Sequence, residues 1–314
     1  MDSSELQKLA ERTRSMREAG VALMAASGLL ALFLFVPLGQ KQTAPALTAA
    51  VPTVPNAFVD IPIEAKAAIV YDLSTHEILF EKNADAQLPL ASLTKLLTVY
   101  AALSTLAPTT PITISADARN LDGPHAFNEG QTFALADLAR LTLTASLNDG
   151  AVAIAEATAE RESRSQSDML ANAAGSLGLS QTYAVNGSGL DVNKAISGGY
   201  GSARDLAILS GALVEKAPDI AAATTQSSAQ AVSEGGTSFV VNNTDPMVDV
   251  IPRLLLSKTG YTDLAGGNLA LVFDAGIGHP IAVVVLGSSK TSRFTDGQSL
   301  VAAAVAHFAS VQSL

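Results

Sequence analysis

The chain has 314 residues, 48% of them hydrophobic, with no Cys, no Trp and a formal net charge of -10. The missing Cys excludes disulfides, thiolate metal sites and a Cys nucleophile, and the acidic balance, with no basic run after residue 20, argues against nucleic acid as a partner. His76, His125, His279 and His307 are dispersed and form no HExxH-like pair, so no metal and no cofactor are expected.

From Val21 to Leu38 the sequence reads VALMAASGLLALFLFVPL and carries no charge. As a helix this run covers about 27 Å, enough to cross a hydrocarbon core of roughly 30 Å with snorkelling flanks. Lys8, Arg12, Arg14 and Arg17 precede it, and only Lys41 follows before Lys66. The positive-inside rule then predicts a cytoplasmic tail over 1–20, a single transmembrane signal-anchor over 21–38, and everything later outside. A cleaved signal peptide is the alternative. Its best site, after Ala46 in Ala44-Pro45-Ala46, lies far from the apolar run and carries a Pro, so an uncleaved anchor is expected. Residues 39–62, rich in Ala, Thr and Pro, read as an extended linker, and 63–314 as one folded domain.

Within that domain, AAIVYDL (67–73) and EILFEKN (77–83) are β-rich runs joined through Ser74-Thr75-His76, a hairpin signal. From Ser92 to about Leu106 apolar residues recur at helical spacing, with Ser92 as the N-cap. Residues 134–160 and 166–177 are Ala- and Leu-rich helical patterns, and Ser202-Ala-Arg-Asp205 opens another helix as a capping box. Past Lys258 the chain returns to strands, NLALVFDAG (268–276) and PIAVVVLG (280–287), before a last helix over about 296–311. Strands at both ends with helices between them predict an α+β fold, one sheet built from distant segments with an inserted helical lobe.

Three short motifs carry chemistry: Ser92-Leu-Thr-Lys95, Ser146-Leu-Asn148 and Lys258-Thr-Gly260. Alone, the first describes any capped helix with a solvated lysine, and the second any turn. Their order along the chain, S-x-x-K, S-x-N, K-T-G, makes the joint signal strong. A serine hydroxyl needs a base within hydrogen-bond reach to act as a nucleophile at neutral pH. At i and i+3 on a helix, Lys95 can reach Ser92, and Leu96, Leu97 and Val99 give it an apolar setting that favours the neutral amine. Ser146 is placed to relay a proton between Lys95 and a leaving amine, and Asn148 to hold a substrate amide. Lys258 and Thr259 offer charge and hydroxyl to a substrate carboxylate, while Gly260 lets a strand edge approach the ligand backbone. The backbone N–H groups of Ser92 and Tyr261 are the expected oxyanion hole.

ASLTKLLT, LTASLNDGA and SKTGYTDLAGGNL resemble the three signature boxes of the low-molecular-mass penicillin-binding proteins, the serine D-alanyl-D-alanine carboxypeptidases of the peptidase S11 family. The likeness continues through AAIVYDLSTHEILFEKNADAQLPLASLTK, EGQTFALADLARLTLTASLNDGA, NGSGLDVN and GYGSARDLAIL, and covers about residues 64–312. This resemblance implies a β-lactamase/transpeptidase-like fold, with an antiparallel sheet flanked by helices. It also implies a bacterial cytoplasmic-membrane enzyme of cell-wall biogenesis, acting on peptidoglycan stem peptides that end in D-Ala-D-Ala and inhibited by β-lactams. GSSKTSRFTD places Arg293 where such enzymes hold an arginine for the terminal carboxylate.

Two departures from the family are visible. Many members carry a small all-β domain and an amphipathic helix after the catalytic domain; the sequence runs to Leu314 without one, and the N-terminal span is expected to serve as the anchor. The family's Asn-Pro-His-Gly-Leu appears as Asn186-Gly-Ser-Gly-Leu190. A class A-like β-lactamase is disfavoured because Glu156, Glu160 and Glu162 have no Asn four residues on. A Ser-His-Asp hydrolase is disfavoured by the lack of G-x-S-x-G. A D,D-endopeptidase uses the same residues and stays open, as does a non-catalytic peptidoglycan- or β-lactam-binding module, although all three motifs are intact.

Overall fold

The structure, a computed structural model, describes residues 2–34, 57–276 and 278–311. Met1–Thr53 and Val54–Leu314 form separate compact units. In the first, helix α1 (Ser3–Leu34) contains residues 21–34 of the expected membrane segment, while 35–38 lie outside the described residues. Among the described residues no helix is long and apolar enough to cross a membrane. The expected linker lies outside the described residues up to residue 56. Packing of the second unit begins before residue 63: Phe58 is buried, its ring centroid 6.1 Å from that of Phe80 and 5.9 Å from that of His307.

The second unit opens with β1 (Ala67–Asp72), β2 (Ile78–Lys82) and β3 (Leu88–Pro89), then a 3-10 turn (Ala91–Leu93) running into α2 (Thr94–Thr105). A helical lobe follows, with β4 (Pro111–Thr113), α3 (Ala116–Arg119), β5 (Thr132–Ala134), α4 (Leu135–Ala145), α5 (Asn148–Glu162) and α6 (Gln166–Ser176). Next come β6 (Tyr183–Ala184), β7 (Gly199–Gly201), α7 (Ala203–Lys216), α8 (Pro218–Ala223), and the hairpin β8 (Ser228–Val232) and β9 (Ser238–Asn242). The chain closes with β10 (Leu254–Thr262), β11 (Gly266–Asp274), β12 (Pro280–Ser288) and α9 (Ser292–Val311).

The main sheet has the order β10-β11-β12-β1-β2, so its first and last strands meet at its middle, β1 antiparallel to β12 with Ile69 opposite Val284. Side chains of a strand alternate between faces, and both faces here are covered. Ala67 and Ile69 join Val272, Val284 and Leu286 in a core shared with α2, α4, α5 and α7. Ala68 and Val70 join Leu271, Phe273, Val283 and Val285 in a second core capped by Leu300, Val301 and Ala304 of α9. Every residue of β1 is therefore buried, and the strand reads as a continuous apolar run up to Tyr71, ending in the buried carboxylate of Asp72.

Several local expectations are corrected. Ser92 is not an N-cap: α2 starts at Thr94, its cap residue Leu93 makes no side-chain cap bond, and Ser92 sits in the preceding 3-10 turn. The helical pattern over 134–160 is two helices, broken where Ser146 adopts a left-handed backbone with φ 59°. Ala and Leu continue on both sides of that break, so periodicity passes through it. Ser202 does cap α7, accepting from Asp205 N at 3.1 Å. The Asp205 carboxylate, however, accepts from Gln181 N and Thr182 Oγ1, each at 2.8 Å, and so ties the lobe to α7. Helix α9 begins earlier than expected because Ser289 Oγ accepts from Ser292 N at 2.9 Å. The β8–β9 hairpin went unpredicted; its inward side chains on β8 are only Ala229 and Ala231, too weak a hydrophobic signal.

Candidate active site

Ser92, Ser146, Asn148, Thr259, Gly260, Tyr261 and Arg293 line one groove of about 540 Å³ between the helical lobe and the edge strand β10. The turn carrying Ser92 is pinned to the sheet by Asn268, whose Nδ2 donates to the carbonyls of Pro89 and Leu90, both at 3.0 Å. Gly260 makes room for that turn: a Cβ there would lie 2.9 Å from Leu90 O and 3.3 Å from Leu93 N. Its missing side chain thus serves the approach of strand to nucleophile, rather than the approach of strand to ligand expected from sequence. Ala91, just before the nucleophile, is held at φ 49° although fully buried, a conformation that costs an L-residue roughly 1–2 kcal/mol.

Lys95, the second residue of α2, is fully buried. Its Nζ donates to Ser92 Oγ, Asn148 Oδ1 and the Ser188 carbonyl, each at 2.8 Å. Burial pushes its pKa down to about 7, against the pull of Asp149, which favours the charged form. The amine is therefore poised near neutrality. On losing a proton it can keep both lobe-side bonds and turn its lone pair to the Ser92 hydroxyl. Asn148 does not present its carboxamide freely to a ligand: Oδ1 takes the Lys95 bond, and Nδ2 donates to Asp122 O at 2.7 Å.

The opposite wall holds Lys258, also buried at 1% exposure. Its Nζ donates to Ser146 Oγ at 2.9 Å and to Thr259 O at 2.8 Å. Ser146 is thus paired with Lys258, where the sequence suggested a bond toward Lys95. Desolvation first, then the nearby cations Lys95 and Arg293, push the Lys258 pKa well below the usual lysine range, with Asp245 opposing. The cations that line the groove on this wall are Arg293 and Lys290. Arg293 Nη1 donates to Gly260 O at 2.6 Å, while its buried Nε has no hydrogen-bond partner among the described residues. Thr259 Oγ1 meets Thr244 Oγ1 at 2.6 Å. A larger, mostly apolar cavity of about 710 Å³ lies elsewhere, lined by Leu73, Ile208, Val214 and Leu255, and holds none of the predicted site residues.

Sequence reasoning missed Ser188, Asn268, Thr244 and the carboxylates Asp149 and Asp245. Ser188 falls inside the Asn186–Leu190 segment already singled out, so a signal existed there. The others act through a hydroxyl (Thr244), a buried amide (Asn268) or a carboxylate charge (Asp149 and Asp245), and no motif marks them.

The peptidase S11 family model, described as D-alanyl-D-alanine carboxypeptidase, matches residues 52–290. D-alanyl-D-alanine carboxypeptidase DacD of Escherichia coli K12 is 29% identical over 266 residues, covering 80% of this chain and 66% of the relative. DacF of Bacillus subtilis is 29% identical over 236 residues, covering 73% of this chain and 59% of the relative. The chain thus spans about two thirds or less of these relatives' length. Among solved structures, penicillin-binding protein D2 of Listeria monocytogenes in its ampicillin-bound form superposes with a TM-score of 0.66 at 27% identity, over 78% of this chain and 98% of that one. A Streptomyces K15 DD-transpeptidase mutant, 21% identical, shares the fold with a TM-score of 0.68, over 78% of this chain and 99% of that one. The fold is therefore the α+β fold of penicillin-binding transpeptidases, and the chain belongs to the peptidase S11, D-alanyl-D-alanine carboxypeptidase, family.

Proposed function

We propose that this chain is a serine D-alanyl-D-alanine carboxypeptidase that removes the terminal D-alanine from peptidoglycan stem peptides through an acyl-enzyme. The observation that carries the reading is the 2.8 Å contact between Ser92 Oγ and a buried Lys95 amine with a pKa of about 7. In the proposed reaction Ser92 Oγ attacks the carbonyl carbon between the last two D-alanines and its proton passes to Lys95. The N–H groups of Ser92 and Tyr261 receive the oxyanion. The C–N bond then breaks as the leaving amine takes a proton from Ser146 Oγ, which the Lys258 ammonium replaces. Water afterwards hydrolyses the ester and frees Ser92: the attacking water returns a proton to that pair, and Lys95 gives its proton back to the departing Ser92 oxygen. Thr259 and Arg293 hold the terminal carboxylate; the Arg293 Nε, without a partner among the described residues, supports this, since a buried N–H without an acceptor costs about 1–3 kcal/mol until a ligand satisfies it. β-Lactams would enter the same groove and acylate Ser92.

The test is release of D-alanine from a stem pentapeptide by the full chain beside Ser92→Ala. Loss of release in the variant supports the nucleophile, and release at the wild-type rate contradicts it. Cleavage of cross-linked dimers in preference to pentapeptides would instead assign the endopeptidase.

We also propose that Val21–Leu38 is a single-pass anchor with the catalytic unit outside the cytoplasmic membrane. The support is the uncharged run and its one-sided cationic flank in the sequence. Resistance to alkaline carbonate extraction, with the catalytic unit digested by protease added to spheroplasts, is the expected result; recovery in the soluble fraction contradicts it.

A further inference from the structure

Asp149 follows Asn148 in the first turn of α5 and is fully buried. Its carboxylate is saturated by backbone donors: Oδ2 accepts from Ala126 N and Phe127 N, and Oδ1 from Gly150 N, all at 2.8 Å. One side chain thus ties the loop 122–127 to the start of α5. That loop returns two bonds to Asn148, since Pro124 O accepts from its backbone N at 2.7 Å and Asp122 O from its Nδ2 at 2.7 Å. With Nδ2 engaged on that side, the Asn148 carboxamide presents Oδ1 to Lys95 Nζ. The fit is tight, because a Cβ at Gly123, whose φ is +85°, would lie 2.7 Å from Asn148 Nδ2.

We propose that Asp149 is a positioning residue for the Lys95 base, holding loop 122–127 so that Asn148 is aimed at the amine. The inference rests on Lys95 acting as the base for Ser92 in the reaction proposed above. A carboxylate suits the task better than an amide, since all three of its partners are N–H donors and an NH2 group would face one or two of them. The charge has a second consequence. Among the described residues the charged group that bears on Lys95 is Asp149 from α5, which favours the ammonium and pulls the Lys95 pKa up toward its value of about 7, while the neighbouring Lys258 amine from β10 is itself pushed well below the usual lysine range. Removing that charge lowers the pH at which the amine becomes a free base. A residue with a purely structural role would leave that pH unmoved.

The experiment follows acylation of the full chain by a chromogenic β-lactam across the pH limb near 7, for wild type and Asp149→Asn, with melting temperature as the folding control. The expected result is a plateau about tenfold or more below wild type, from a misaimed base, with the limb moved to lower pH. A folded Asp149→Asn with wild-type plateau and limb overturns the inference. If Asp149→Asn does not fold, Gly123→Ala decides: it crowds Asn148 from the loop side and leaves the charge in place. That variant is expected to lose about tenfold or more with its limb unmoved, and a wild-type plateau overturns the inference. A wild-type chain that no β-lactam acylates overturns the reaction and the inference together, whereas an acylated wild type with an unaltered Asp149→Asn overturns the inference alone.

Discussion

Two buried lysines reach the groove of this protein from opposite walls, and their surroundings differ in sign. On the lobe wall, Lys95 is met by the Asn148 carboxamide oxygen, the Ser188 carbonyl and the field of Asp149. On the sheet wall, Lys258 is met by a hydroxyl and one carbonyl, with the cations Lys95 and Arg293 beside it. Burial discourages charge on both; at Lys95 Asp149 opposes it, leaving a pKa of about 7, whereas at Lys258 two cations add to it against the pull of Asp245. Near neutrality Lys95 is therefore able to gain and lose a proton, while Lys258, bonded to Ser146, has its charged form disfavoured by burial and by neighbouring cations. Residue type alone does not assign these roles; the electrostatics of the two walls does.

Replacing the lobe-wall amine should have the largest effect. Lys95→Met removes the base that contacts Ser92 Oγ at 2.8 Å, and acylation by a β-lactam should fall by about 10³-fold or more in stopped-flow measurements. A loss below tenfold would move the base elsewhere. Ser146→Ala should come next, costing about 10²-fold in D-alanine release, because it cuts the path from Lys258 to the leaving amine. If its acylation by β-lactams fell as far as that of Lys95→Met, the two walls would not be functionally separate. Arg293→Gln should raise KM for a D-Ala-D-Ala peptide by about tenfold with little change in kcat, as expected for lost carboxylate binding. The smallest effect is on stability: Lys258→Met should raise the melting temperature by a few degrees, since an amine desolvated beside other cations gives way to an apolar chain of similar length.

The sequence carries the apolar skeleton of this fold well. Strands β1, β11 and β12 appear as β-rich runs because both faces of the sheet are covered there, edge strand β2 appears as the second arm of the hairpin, and helices α2 and α6 appear through period and α7 through its cap. It does not carry the break at Ser146, where a left-handed residue interrupts a pattern that Ala and Leu continue on both sides. The three motifs name the residues that meet in the groove, but pairings across it are set by tertiary structure. Ser146 turns to Lys258, Asn148 to Lys95, and Gly260 to the backbone of the nucleophile's own turn. Asp149 and Asn268 work through backbone groups far away in sequence, and short-range patterns do not register such bonds.

The most direct test is the pH dependence of Ser92 acylation, read as covalent β-lactam adduct on the full chain with Ser92→Ala as control. The account predicts one adduct per wild-type chain, none in the variant, and a rate that rises with pH through about 7 as Lys95 loses its proton. An adduct that survives Ser92→Ala, or a rate that shows no limb until pH approaches the ordinary lysine value of 10.5, would contradict it.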